Sequence, residues 1–142
     1  MYFGYLIRQI KLTTVFTVPR RQSLKSLEVQ LLLELVELVL IGKKTATCWA
    51  ASEGAKGVEV GKRWIVKDGQ GRPRAVLETV ELTRRRFEEV DEAFAADEGE
   101  GDRSLAYWRQ AHTNYFTRQG TFSPGMDLYC ERFRRIEILD RG

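Results

Sequence analysis

The feature that most constrains this chain is one amphipathic run, Ser23 to Ile41, that stops at Gly42. Leu24, Leu27, Leu31, Leu35, Leu38 and Val39 recur at three-and-four spacing, which lines one face of a helix. Glu28, Glu34 and Glu37 interrupt the run, so it reads as a helix packed on a core and not as a membrane span. Gly42 can take the left-handed conformation that closes a helix, turning the chain sharply into Lys43-Lys44-Thr45-Ala46-Thr47.

Beyond that turn the pattern changes to strands. Thr45 to Ala51 suits a strand leaving the helix end, and Val58 to Lys67 has β-branched and aromatic enrichment. Asp68 to Gly71 separates it from Arg72 to Leu82, where Val76, Val80 and Leu82 recur with strand spacing, so a hairpin is expected. Arg84 to Ala96 fits a short helix or an irregular connection. A second helix follows, with Asp102 accepting from the amide of Ser104 or Leu105, and Gly120 ending it. Leu105, Trp108, His112, Tyr115 and Phe116 share one side of it, and Met126 to Leu139 supplies a closing strand. A chain of 142 residues with 43% hydrophobic content suits one α+β domain, residues 23–142, preceded by an extension, 1–22, whose Leu12-Thr13-Thr14-Val15-Phe16-Thr17-Val18 is strand-like.

Bulk chemistry excludes more than it assigns. The net charge of +3 and a pI near 9.0 favour anionic partners only mildly. Acids crowd into Glu88 to Asp102; bases gather at Arg20, Arg21, Lys25, Lys43, Lys44, Arg84 to Arg86 and Arg132 to Arg135. Cys48 and Cys130 lie far apart in sequence without zinc-type spacing, so neither a disulfide framework nor a metal site is expected, and a reducing cytoplasm fits best. Arg8 and Lys11 inside the apolar N-terminus argue against a secretory signal.

Four stretches could carry chemistry, and each has a plain structural explanation. Gly42 to Thr47 could be a basic helix cap, whose cations the helix dipole favours. Acids in the Gly-interrupted turn from Glu98 to Asp102 are favoured before a helix start. His112, the sole histidine, suits a hydrogen-bonded position better than a catalytic base, since no serine or cysteine elbow accompanies it. Ser123-Pro124-Gly125 is a turn, although hydroxyl and aromatic groups beside Arg132 could bound a pocket for a nucleobase.

Taken in order, these pieces resemble the bacterial single-domain branch of the ASCH family. The resemblance covers about Leu31 to Leu139: a helix ending in Gly42-x-Lys44-x-x-Thr47, a hairpin through Gly61 and Asp68-Gly69-x-Gly71-x-Pro73, Phe94-Ala95-x-x-Glu98-Gly99-Glu100-Gly101-Asp102-x-Ser104-Leu105-x-x-Trp108-x-x-x-His112, and Cys130-Glu131-Arg132-Phe133. It implies a small PUA-like β-barrel with flanking helices and a central cleft for RNA or a modified nucleoside. Some members look like amidohydrolases that deacetylate N4-acetylcytidine with a lysine, a threonine and a glutamate; another is reported as a ribonuclease.

Carried over, Lys44, Thr47 and Glu98 are the expected catalytic residues, with Lys43, Thr45, Trp108, His112, Ser123 and Arg132 expected to contact substrate or RNA. Thr47 would attack, and Lys44 would be its base provided burial lowers the lysine's pKa. Glu98 would orient Lys44 or shuttle the proton to the departing amine. No cofactor is implied; a divalent metal enters only under the ribonuclease alternative. A non-catalytic RNA-binding module is the third reading. Trp49 departs from the family pattern and would narrow the pocket. As a helix-end cation Lys44 should be replaceable, so Lys44→Arg is expected to fold normally and keep affinity while losing hydrolysis.

Overall fold

The computed structural model describes residues 33–68 and 71–139. Residues 33–40 form the end of helix α1; the expected helix start at Ser23 and the strand-like Leu12–Val18 lie outside the described residues. Gly42, at φ +85°, closes α1 as expected: its amide reaches the Val39 carbonyl at 3.1 Å, and the Lys43 and Lys44 amides reach that of Leu38 at 2.9 and 3.0 Å. Backbone amides therefore satisfy the helix end, and the lysine side chains are free for other work.

Four antiparallel strands follow, β1 (Ala46–Ala50), β2 (Arg63–Lys67), β3 (Pro73–Arg86) and β4 (Asp127–Ile138), in the order β1-β4-β3-β2. They form a curled half-barrel flanked by helices, an α+β fold. The hairpin is present, with Trp64 opposite Leu77 and Ile65 opposite Val76. Register shifts at Val76/Leu77 and Thr79/Glu81 let the long β3 bend along β4.

Two boundaries differ from the sequence reading. Val58 to Lys62 is turn, closed by Val58 to Ala55 and Lys62 to Glu59 bonds, so β2 starts only at Arg63. Arg84, Arg85 and Arg86 belong to β3, because β4 continues the ladder opposite them through Tyr129, Leu128 and Asp127. A 3-10 turn at Phe87–Glu89 then leads into α2 (Glu92–Glu98), capped by Asp91, whose carboxylate accepts from the Phe94 amide at 2.9 Å. Helix α3 (Leu105–Arg118) is capped by Ser104, whose hydroxyl accepts from the Tyr107 amide at 3.0 Å; Asp102 accepts from Ser104 one turn earlier, at 2.9 Å.

The sheet separates two apolar clusters. Leu35, Val36 and Val39 of α1 meet Trp64, Val66, Ala75, Leu77 and Phe133 on one side. Ala46, Cys48, Ala50, Leu128 and Cys130 meet Phe94, Trp108, Tyr115 and Phe116 on the other. Burying large side chains on both faces, at roughly 1.5–3 kcal/mol each, fixes β4 between α1 and the α2–α3 pair and sets β1 against that pair. The route from α1 into β1 thus runs beside the turn joining α2 to α3.

Candidate functional site

Where those two segments touch, a glycine makes the contact feasible. Gly99 ends α2 at φ +75°, and a Cβ there would lie 2.9 Å from Lys44 Cα and nearer still to the Lys43 carbonyl. The Thr45 amide bonds the Asp97 carbonyl at 2.7 Å along the same edge. The acidic turn is thereby pressed on the backbone of Lys43 and Lys44.

Lys44 turns its side chain into this contact. Its Nζ lies 2.8 Å from Glu98 Oε1, 2.5 Å from Glu100 Oε2 and 3.2 Å from the Glu98 carbonyl oxygen, which occupies all three ammonium protons. Lys44 and Glu98 are each 1% exposed and Glu100 is 7% exposed. Glu98 Oε2 accepts from Trp108 Nε1 at 3.0 Å and sits 3.6 Å from His112 Nε2. His112 stacks on Trp108, centroids 4.2 Å apart, and its Nδ1 bonds the Trp108 carbonyl at 2.9 Å. A carbonyl only accepts, so Nδ1 carries the proton and Nε2 the lone pair in neutral His112.

The electrostatics follow from one cation buried with two carboxylates. Burial alone would pull the Lys44 ammonium down, yet Glu100 and Glu98 together hold it above its ordinary value. Burial likewise works to raise Glu98, but Lys44, His112 and the Trp108 hydrogen bond outweigh it and keep that carboxyl below the usual range. Glu100 is pushed up to about 7 by burial, against Lys44 and with the charge of Glu98 adding to the rise. The trio is neutral when Glu100 carries a proton. Burial also lowers His112 below the ordinary imidazole value, against the opposing pull of Glu98.

The condition set for Lys44 as a base is a pKa lowered by burial; here Glu100 and Glu98 work against it and favour the ammonium form. Thr47 is fully buried, but it pairs with Glu131 across β1 and β4, on the face of β1 opposite the one that Ala46, Cys48 and Ala50 give to the Trp108 cluster. Its hydroxyl has no hydrogen-bond partner among the described residues, Lys44 included. Glu131 beside it accepts from the Thr79 hydroxyl at 2.6 Å. Lys44 and Glu98 are therefore brought together, and Thr47 is set apart from them.

The expected contact residues divide similarly. The Trp108 indole N–H holds Glu98, and His112 stacks on Trp108 beside that carboxylate. Thr45 is half-buried and its hydroxyl donates to the Asp97 carbonyl at 3.4 Å. Arg132 spans Asp97 and Glu81, 2.9 Å from each, over the Phe94 ring. Lys43 and Ser123 are exposed; Ser123 lies in the turn before β4, where its carbonyl accepts the Met126 amide.

Two residues of the site were missed. Glu100 was visible only as a surface acid, because its burial depends on the left-handed Gly99 that turns it back on Lys44. Cys48 faces Glu98 through strand alternation, and its thiol is pushed well above the ordinary value, first by burial and then by Glu98. It pairs across the sheet with Cys130, pushed up to about 12 by burial, and both are free. Cys48, Glu98 and His112 place potential ligand atoms within 4.8 Å of one another.

The layout is a small mixed domain in which a lysine and two glutamates are enclosed between a strand start and a helix–helix turn. The chain belongs to the ASCH domain family, a PUA-like fold: the family model matches residues 26–137. It is similar to the crystal structure of an ASCH domain from Lactobacillus crispatus, with 34% identity, a TM-score of 0.67 and coverage of 73% of this chain and 71% of that one. It is also similar to protein EF3133 from Enterococcus faecalis, with 32% identity, a TM-score of 0.63 and coverage of 74% and 68%. A search of curated proteins returned no match. No helix among the described residues is long and apolar enough to cross a membrane.

Proposed function

We propose that this ASCH domain takes up a modified nucleoside and hydrolyses an amide on it, of the kind found in N4-acetylcytidine. The carrying observation is the enclosed Lys44–Glu98–Glu100 cluster with a carboxyl poised near neutrality. Enclosing three ionisable groups is costly relative to apolar packing, and such centres concentrate where acid–base chemistry is done.

In this reading the substrate carbonyl replaces the Glu100 carboxylate on Lys44 Nζ. The ammonium then stabilises negative charge developing on the carbonyl oxygen. Glu100, released and ionised, takes the proton of an attacking water and returns it to the departing amine nitrogen, leaving a carboxylic acid and the free nucleoside. Glu98, held by the Trp108 indole N–H, positions Lys44. Thr47 is not needed as nucleophile, in keeping with its place on the Glu131 face.

A small substrate is favoured over polymeric RNA by the state of the β3 and β4 arginines among the described residues. Arg84 pairs with Asp127, Arg85 with Glu81 and Asp91, Arg86 with Glu88, Arg132 with Asp97 and Glu81, and Arg134 with Glu78. Charges already matched by neighbouring acids release few counterions on meeting phosphates. This weighs against the ribonuclease and RNA-module alternatives together. Incubation with N4-acetylcytidine should release cytidine and acetate; no release at enzyme concentrations comparable to substrate would reject the reading.

A further inference from the structure

Glu98 belongs to a donor set of which hydrolysis, as assigned above, uses Glu98 alone. Cys48 comes from β1, Glu98 from the end of α2 and His112 from α3, and all three are buried. Their ligand atoms lie within 4.8 Å of one another, and His112 Nε2 is 3.6 Å from Glu98 Oε2. Tetrahedral zinc with bonds of about 2.0–2.3 Å sets its donors roughly 3.3–3.8 Å apart. The arrangement needs only sub-ångström to one-ångström adjustments to close on an ion.

The surroundings resemble those of working metal sites. The His112 Nδ1–H bond to the Trp108 carbonyl fixes the tautomer that leaves Nε2 as a ligand, and the Trp108 indole N–H orients the Glu98 carboxylate. Stacking at an interplanar angle of 19° holds the imidazole ring in that orientation. Thiolate, imidazole and carboxylate together suit zinc or cobalt better than magnesium or calcium.

The geometry points to a thiophilic divalent-cation site, Zn²⁺-type, formed by Cys48 Sγ, Glu98 and His112 Nε2, with a fourth position for water or another ligand. Binding breaks the Cys48 S–H bond and sends that proton to solvent. The cation is then neutralised by the Cys48 thiolate and Glu98, while Lys44 keeps Glu100 as its counter-ion. The site shares Glu98 with the proposed hydrolysis but does not depend on it.

The test is cobalt(II), whose thiolate bond gives a near-ultraviolet charge-transfer band. Because the site is buried, cobalt is added both to the native protein and during refolding from urea. One cobalt per chain is expected, with the band, a proton released and a higher melting temperature. Cys48→Ser should abolish the band, His112→Gln should weaken binding at least ~10-fold, and Cys130→Ser should leave both intact. Absence of the band in correctly refolded wild type, or its survival in Cys48→Ser, overturns the proposal. Cytidine release by chelator-treated protein that takes up no cobalt would reject the metal site and leave the hydrolytic reading standing.

Discussion

Glu100 holds its proton to about pH 7 in the folded chain, whereas an ordinary carboxyl loses it near 4.5. Between those values the native state binds more protons than the unfolded state, so this group makes stability fall as pH rises from about 4.5 to 7 and then level off. At about 1.4 kcal/mol per pKa unit the fall is about 3 kcal/mol. Glu98 has the opposite slope: its depressed carboxyl contributes stability present above about 4.5 and lost as pH falls through its folded value. Glu100→Gln, which mimics the protonated form, should therefore stabilise the protein at pH 8 and change little at pH 5. Urea midpoints at the two pH values check this, and equal effects at both would contradict the burial account.

Lys44 behaves differently from a helix-end cation. Its head is enclosed by three acceptors, so the longer, planar guanidinium of Lys44→Arg overpacks the site and should cost about 1–3 kcal/mol. Lys44→Met leaves Glu98 buried without its partner and should cost about 3–5 kcal/mol unless that carboxyl protonates. Denaturant unfolding of both variants measures the difference; an arginine variant as stable as wild type would return Lys44 to the surface-cap role.

Among the elements, the acidic turn after α2 is the most demanding piece of backbone. Gly42 and Gly99 are both left-handed, but the nearest atom to a Cβ at Gly42 is Arg135 Nη1 at 4.0 Å, while one at Gly99 meets the Lys43–Lys44 backbone. Gly42→Ala should then cost only the conformational term, about 1–2 kcal/mol. Gly99→Ala adds a backbone collision, should cost at least ~2 kcal/mol more, and should lift Glu100 off Lys44. Equal unfolding midpoints for the two variants would contradict this close approach.

The elements themselves were legible where periodicity is strong. The end of α1 at Gly42, the β2–β3 hairpin and the aromatic face of α3 all follow from spacing. The extension of β3 through Arg84–Arg86 was hidden, since three successive arginines have no strand signature and are held there by pairing with β4. The N-cap of α3 fell on Ser104 because two capping residues stand two apart, and local sequence does not choose between them.

For the molecule as a whole, ordered motifs carried the family; that Lys44 meets Glu98 while Thr47 faces Glu131 is a property of tertiary and strand pairing, which no single stretch of sequence states. Charge shows the same limit. Runs of arginine favour anionic partners only mildly by sequence, and β3, β4 and α2 set acids beside them. Affinity for single-stranded RNA should accordingly be weak, with log K falling against log salt with a slope on the order of one, the loss of one or two phosphate contacts. A steep slope, with submicromolar binding at low salt, would restore the polymeric-RNA reading.

The central claim is that Glu100 is the proton acceptor of an amide hydrolysis carried out beside Lys44. It is tested most directly by the pH dependence of kcat/KM for cytidine release from N4-acetylcytidine, measured for wild type and Glu100→Gln. The account predicts a wild-type rate that rises with pH and levels off above about 7, and a variant slowed at least ~100-fold that has lost this rise. A wild-type rate independent of pH between 5 and 9 (roughly two units either side of the Glu100 value), or a Glu100→Gln variant as fast as wild type, would contradict it.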